Sequence, residues 1–329
     1  MQSDVDVFIV QKQTTLERYT KGKINIDFFD YLERDKQTPI PLQEAHNEHL
    51  RSKEILINAL NKHSLSYKIF NLDELAINNI CYYDDKCPKS GLRPKLKLVI
   101  SLGGDGTLLH ASHHVGGDVL LLGINSCPAH SVGHMCPITP KFIEKTIDCF
   151  VEKQFSIKEV RRIKLETAQQ QLLPLALNDV LLCNLHPAAT SRYQLSIYSA
   201  AFEHEMQSEK QLSSGLWVST AAGSTAAISS YGFDKLDILS SQILVAVREP
   251  YTPRNESLNL EQFAIDGNEK SLLFFSRMRQ GLVCVDGPDS CAHLGFGDTV
   301  KMSLPKECSI KLVLDFFGKV PTFPFENGK

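Results

Sequence analysis

An α/β domain with a mostly parallel sheet, followed by a β-rich domain, is the fold class this sequence predicts, on three observations. Strand-like apolar runs alternate with helical segments up to about residue 157. Beyond that point convincing helices become scarce, and short strand candidates follow one another through turns. A glycine-rich turn, Ser101-Leu102-Gly103-Gly104-Asp105-Gly106-Thr107, joins one apolar run to a helix-like segment. Near-continuous apolar strands separated by helices mark a parallel sheet covered on both faces.

Residues 5–10 read as a short buried strand. Across residues 42–62, Leu42, Ala45, Leu50, Leu56 and Leu60 form an imperfect helical face. Residues 66–70, 98–102 and 119–125 are the next strands, the last ending in a polar loop after Asn125. Residues 140–151 are a helix, with Pro140 suited to its first turn. The second half places strands at 163–167, 195–198, 216–220, 242–247, 282–285 and 310–314, with one short helix at 224–230. The Asn178-Asp179 pair lies inside a further apolar strand, Leu175-Ala176-Leu177-Asn178-Asp179-Val180.

The composition narrows the function classes. A net charge of −3, from 35 basic and 38 acidic residues, leaves no electrostatic footprint for nucleic acid or a membrane surface. No apolar run approaches the roughly 20 residues of a membrane helix. The N-terminus is acidic and enters a strand at once, so neither a secretory nor a transit peptide is expected. Nine cysteines, scattered singly, argue against a disulfide framework or a thiolate zinc site. They predict reduced thiols in an intracellular, by default cytoplasmic, protein.

The chemistry starts at Asp105. A carboxylate among three glycines at a strand-to-helix turn is placed to act where backbone N–H groups converge on phosphate oxygens. Glycine permits the positive φ and the close approach such a turn needs. An ordinary tight turn is the competing reading, but residues 108–114 do not alternate as a second hairpin strand would. Two further motifs join it. Asn178 and Asp179 project to opposite faces of their strand, so at least one needs a partner or a ligand. Thr220-Ala221-Ala222-Gly223-Ser224-Thr225-Ala226 is a small-residue turn opening a helix, which alone would read as a helix cap. His110, His113 and His114 share a helix face at i, i+3, i+4, yet no fourth ligand accompanies them, so no metal site is expected.

Taken in order, the Gly103–Thr107 turn, the Asn178-Asp179 pair and the Thr220–Ala226 segment resemble the NAD kinase family. Gly123-Ile124-Asn125, Val247-Arg248-Glu249-Pro250 and Val285-Asp286-Gly287 add to the likeness. Ser131–Cys136, the run from His186 to Arg192 and the doubled alanines around Gly223-Ser224-Thr225 resemble its NADH-kinase and mitochondrial-type branches. The resemblance implies a Rossmann-like domain over 1–157, a β-sandwich-like dinucleotide-binding domain over 158–310, and a segment, 311–329, returning to the first domain. It implies phosphorylation of the adenosine-ribose 2′-hydroxyl of NAD or NADH, with ATP as donor and Mg²⁺ accompanying the nucleotide. Asp105 is then the catalytic acid–base, and Gly103, Gly104, Gly106, Thr107 and Arg192 bind phosphates. Asn125, Gly133, His134, Asn178, Asp179, Thr220, Gly223, Ser224, Thr225 and Ala226 bind the dinucleotide. A homodimer or larger homo-oligomer is implied as well. The chain departs from the family pattern at Ala227, where the family has Tyr, and at Tyr231 and Phe233. The alternatives are a lipid or sugar kinase sharing the Gly-Gly-Asp-Gly turn, or a dinucleotide-binding regulator without catalysis.

Overall fold

The computed structural model describes residues 5–21, 39–72, 98–116, 119–167, 173–252, 257–316 and 320. They form two compact units, one running to Lys158 and resuming at Lys311, the other spanning Glu159–Ile310.

The first unit begins with β1 (Val7–Gln11), α1 (Thr15–Lys21), α2 (Pro39–Lys62) and β2 (Tyr67–Asn71). It continues through β3 (Leu98–Gly103), α3 (Asp105–Ser112), β4 (Leu120–Asn125), α4 (Ile143–Val151) and β5 (Ser156–Val160). The second unit holds β6 (Lys164–Thr167), β7 (Asp179–Asn184), β8 (Ser191–Ser199), β9 (Glu205–Ser213), β10 (Gly215–Ser219) and β11 (Gln242–Arg248). Its remaining strands are β12 (Gln262–Asp266), β13 (Lys270–Ser276), β14 (Gly281–Val285), β15 (Cys291–Leu294) and β16 (Thr299–Ser303). The chain then returns to the first sheet as β17 (Ile310–Asp315).

That first sheet has the order β2-β1-β3-β4-β17-β5, with parallel pairing from β2 through β17. All six residues of β3 are buried, as expected of a central parallel strand. Its core joins Val7, Ile9, Ile100 and Leu122 of the strands to Leu56 and Leu60 of α2 and Ile143 and Ile147 of α4. The order reverses between β1 and β3, and in such sheets ligands bind beyond the carboxyl ends of the strands at that switch point. The Gly103–Thr107 turn leaves β3 at that end.

The second unit pairs two antiparallel sheets, β12-β11-β10-β7-β14-β15 and β6-β16-β13-β8-β9. One core lies across both: Val180, Leu182 and Val218 from the first meet Tyr193, Leu195 and Phe274 from the second. The Tyr193 and Phe274 rings stack at 4.8 Å.

Several expectations need correction. The inward face of α2 is His49, Ser52, Leu56, Ala59 and Leu60, whereas Leu50 is exposed. Two polar residues occupy that face because Ser126 needs them: His49 Nδ1 and Ser126 Oγ lie 2.9 Å apart, and Ser52 Oγ donates to the Ser126 carbonyl. The helix expected at 140–151 is a 3-10 turn over Pro140–Phe142 leading into α4. The helix expected at 224–230 is two 3-10 turns, Ala222–Thr225 and Ala227–Tyr231. The strand expected around Asn178 begins only at Asp179. Strand β9 escaped the sequence reading because it is a charged edge strand, exposed along most of its length. Cys284 and Cys291 are not reduced thiols: they face each other across the β14–β15 ladder and form a disulfide.

Candidate functional site

Two clusters gather the residues singled out above, one in each unit. The first is the turn after β3. Gly104, extended at φ −121°, precedes α3, and Asp105 is the first helical residue. A Cβ at Gly103 would run into the Thr107 side chain, and one at Gly104 would come within 2.5 Å of Ser131 Oγ. Close approach therefore demands both glycines, while Gly106 faces open space. None of the three has a positive φ, contrary to expectation; the left-handed glycine is Gly133, φ +68°. There a Cβ would meet the Asn125 side-chain nitrogen at 2.5 Å.

Asp105 ties the turn to that loop. One carboxylate oxygen accepts the His134 N–H and the other the Met135 N–H, each at 2.8 Å. The Cys136 thiol also hydrogen-bonds this carboxylate, and of its roughly four acceptor sites one remains for a further donor. Asn125 is wholly buried, donating to the Ser131 carbonyl and accepting the Cys127 N–H, so it shapes the loop from beneath. Thr107 is also buried, its N–H turned back to the Gly104 carbonyl. The first-turn amides of Asp105 and Gly106 have no acceptor within the helix. Beneath the loop, burial and the charge of Asp105 push the Cys136 thiol well up, so it stays neutral. Lys12, at the carboxyl end of β1, was not singled out by the sequence; its N–H reaches the Leu102 carbonyl. Its ammonium is pushed down by burial, with Cys127 and Glu48 opposing.

The three histidines near α3 pack against one another, with His110 ring centroids 6.1 Å from His113 and 5.6 Å from His114. Burial, then His110 and His113, push His114 down to about 4. Among the described residues no group of three His, Cys, Asp or Glu could hold a metal ion.

The second cluster centres on Asp286. Its carboxylate accepts three consecutive backbone N–H groups, from Leu177 (2.8 Å), Asn178 (2.7 Å) and Asp179 (3.0 Å). Its own N–H donates to the Asp179 carbonyl at 2.9 Å, closing a reciprocal clasp. The left-handed backbone of Asp286 (φ 51°) and the following Gly287 (φ +124°) turn the chain to make this fit. On the other side, the Thr220 N–H and Ser219 Oγ both donate to the Asn178 carbonyl. Thr220 Oγ1 donates to the Leu177 carbonyl and accepts the Gly223 N–H. A Cβ at Gly223 would overlap the Asn178 carbonyl, so glycine is required there.

Within this frame Asn178 is buried, and its Oδ1 has no hydrogen-bond partner. A buried acceptor left unmet costs about 1–3 kcal/mol, so it is a natural target for a ligand donor. Asp179 is pushed up to about 7, first by burial and then by the charge of Asp286. Ser224 is buried and accepts the Leu236 N–H, holding the 3-10 turns in place. Thr225 and Ala226 are half-buried and Ala227 is exposed. Tyr231 and Phe233 pack on a small cluster of Ile228, Leu244 and Ala246, which accounts for the apolar rings at those positions. Arg192 is not part of the Asp286 cluster; it lines a cavity with Lys210 and Arg277. Asp286 was legible only as part of a family mark, since no spacing rule points a lone Asp at three amides far away in sequence.

The shift of Asp179 has a stability consequence. The folded state holds this proton to a higher pH than the unfolded chain, so stability falls as pH rises from about 4 to about 7 and levels off above. Asp179→Asn should remove that slope. The substituted protein is expected to gain about 2–4 kcal/mol over the parent at pH 8 and little at pH 4, as read by thermal melts without ligand.

A parallel sheet carrying an acid in a glycine-lined turn, joined to an antiparallel sandwich with a second acid cluster, defines a two-domain protein of the phosphoryl-transfer class. The chain belongs to the NAD kinase family. It is 33% identical over 221 residues to a probable NADH kinase of Oryza sativa subsp. japonica, covering 63% of this chain and 67% of the relative. It is 34% identical over 221 residues to an NADH kinase of Arabidopsis thaliana, covering 63% and 69%. Among solved structures, yeast NADH kinase complexed with NADH aligns over 97% of this chain and 86% of its own at TM-score 0.65 and 16% identity. An NAD kinase from Archaeoglobus fulgidus in complex with ATP aligns over 95% and 98% at TM-score 0.59 and 17% identity. These likenesses are of fold. No family model matches the chain.

Proposed function

We propose that the chain is an NAD(H) kinase, moving the γ-phosphate of ATP to the 2′-hydroxyl of the adenosine ribose of NAD or NADH. The observation that carries this reading is the kinship with NADH kinases at 33% and 34% identity over two thirds of their length. The site geometry supports it. Asp105 is held by two amides and the Cys136 thiol yet keeps acceptor capacity for one more donor. In the reaction the 2′-oxygen forms a bond to the γ-phosphorus as the bond from that phosphorus to the β–γ bridging oxygen breaks. The hydroxyl proton passes to Asp105. Phosphoryl transfer runs through a loose transition state, so orienting the alcohol matters more than early deprotonation.

The N–H groups of Asp105 and Gly106 donate to phosphate oxygens, and Gly103 and Gly104 let the turn close behind them. Thr107, Asn125, Gly133 and His134 shape the turn and its loop. Asn178 Oδ1 and Asp179 accept hydrogen bonds from the dinucleotide, with Thr220, Gly223, Ser224, Thr225 and Ala226 forming the adjoining wall. Mg²⁺ enters with ATP as part of the substrate. The working form is a homodimer or larger homo-oligomer, with neither nucleic acid nor membrane as partner. No helix among the described residues is long and apolar enough to cross a membrane. An intracellular, cytoplasmic setting fits the five described cysteines that are free thiols, whereas the Cys284–Cys291 disulfide is a bond such a setting seldom keeps.

Formation of NADP and NADPH from each redox form, with ATP or polyphosphate as donor, tests the reading. Absence of product from every combination would overturn it. Asn178→Ala should raise the KM for the dinucleotide about tenfold or more with kcat changed little, since a single buried acceptor is worth about 1–3 kcal/mol. Unchanged kinetics would place the dinucleotide elsewhere.

A further inference from the structure

The second unit holds a cavity of about 280 Å³ that none of the Asn178, Asp179 and Asp286 cluster lines. Arg192, Lys210, Tyr251, Thr252, Leu258 and Arg277 are among the residues that line it. Backbone bonds fix its walls. Arg192 of β8 stands opposite Leu212 of β9, and the Tyr251 N–H donates to the Leu212 carbonyl at 2.8 Å. The Arg277 N–H donates to the Arg192 carbonyl at 2.9 Å. Because Tyr193 and Leu195 face the core, Arg192 and Gln194 lie on the outer face of the sheet. Lys210 is the register partner of Gln194 and shares that face, diagonal to Arg192.

Three basic residues, Arg192, Lys210 and Arg277, therefore line one hollow of a chain whose net charge is −3. Among the described residues no carboxylate lines it. The acid beside Lys210, Glu209, spends its oxygens on the Asn259 and Leu260 N–H groups and on the Gln211 side chain. Glu249 takes the Ser214 hydroxyl. Like charges set diagonally on a sheet repel unless an anion sits between them, and paired arginines match the oxygen geometry of phosphate. The hollow is smaller than the 300–1,000 Å³ or so of pockets that enclose a whole drug-sized ligand, so it fits a charged end. Tyr251, 63% exposed, offers a flat aromatic rim next to that end.

We propose that this hollow is an anion site for the phosphate or diphosphate end of a small molecule, gripped by Arg192, Lys210 and Arg277. It shares no residue with the Asp105 turn or the Asn178–Asp179 cluster, and it stands whether or not the chain phosphorylates dinucleotides.

Calorimetric titration of the full chain with inorganic diphosphate, at constant ionic strength, tests it. The doubly substituted Lys210→Gln, Arg277→Gln protein should lose about tenfold or more in affinity, with melting temperature and dinucleotide binding unchanged. Both side chains are exposed, so the fold is not at risk. The same titration of Asp105→Asn should leave binding by the hollow intact. Two results overturn the proposal: diphosphate binding unaffected by the double substitution, or binding lost in Asp105→Asn and kept in the double variant. Comparing AMP with inorganic phosphate separates the sources. A Tyr251→Ala loss confined to AMP identifies a nucleotide, and no such loss identifies inorganic phosphate or diphosphate.

Discussion

Asp105→Asn should lower kcat for dinucleotide phosphorylation by about 10²–10⁴-fold, the usual contribution of a positioned general base. Binding of NAD or NADH, measured by calorimetry, should change far less. The geometry makes a further demand on this experiment. Both Asp105 oxygens accept backbone N–H groups, from His134 and Met135. An amide at 105 has one oxygen, so its NH₂ would face one of those donors. The loop carrying Gly133 would then lose a bond and shift, at a cost of about 1–3 kcal/mol. A stability lowered by that amount, seen as a drop in melting temperature, together with near-complete loss of turnover, is the expected pair of results. A variant that melts lower yet turns over within tenfold of the parent would show that Asp105 holds the loop and moves no proton.

The same residue shows what sequence can carry. An acid between glycines after an apolar run announces a strand-to-helix turn, because two adjacent residues there, Gly103 and Gly104, have no room for a side chain. That part was legible, and so was the parallel sheet, whose strands are apolar on both faces. What the turn clasps was not, since His134 and Met135 arrive through a loop whose path is set by tertiary contacts. The same reason hid the inward face of α2, where His49 and Ser52 stand in for aliphatic residues to satisfy Ser126. It hid β9, because a charged edge strand has no apolar alternation to read. Asn178 looked like a strand residue because its neighbours are aliphatic. Its backbone is instead taken by Asp286, and the strand starts one residue later. The disulfide followed no spacing rule because its cysteines meet across a hairpin ladder.

Asp286→Asn should raise the dinucleotide KM by about 5–150-fold while kcat stays within a few-fold, the range set by about 1–3 kcal/mol for an unmet buried donor. The side chain touches no reacting atom in this reading; it positions the Asn178-Asp179 backbone. Oδ1 accepts from Asn178 and Asp179, and Oδ2 from Leu177. An amide can keep the first two and must turn its NH₂ on the third. Asparagine tolerates the left-handed backbone at φ 51°, so strain does not confound the result, whereas alanine would add it. A second consequence separates positioning from bulk destabilisation. Removing the Asp286 charge withdraws one of the two influences that hold Asp179 near 7, so the pH midpoint of dinucleotide affinity should move to lower pH. Arg162, buried and donating from Nε to the Cys308 carbonyl, also feels the Asp286 charge. Its guanidinium would lose that compensation and add to the drop in stability. A variant with lowered melting temperature but an unmoved pH midpoint and an unchanged KM would reduce Asp286 to a fold-stabilising residue.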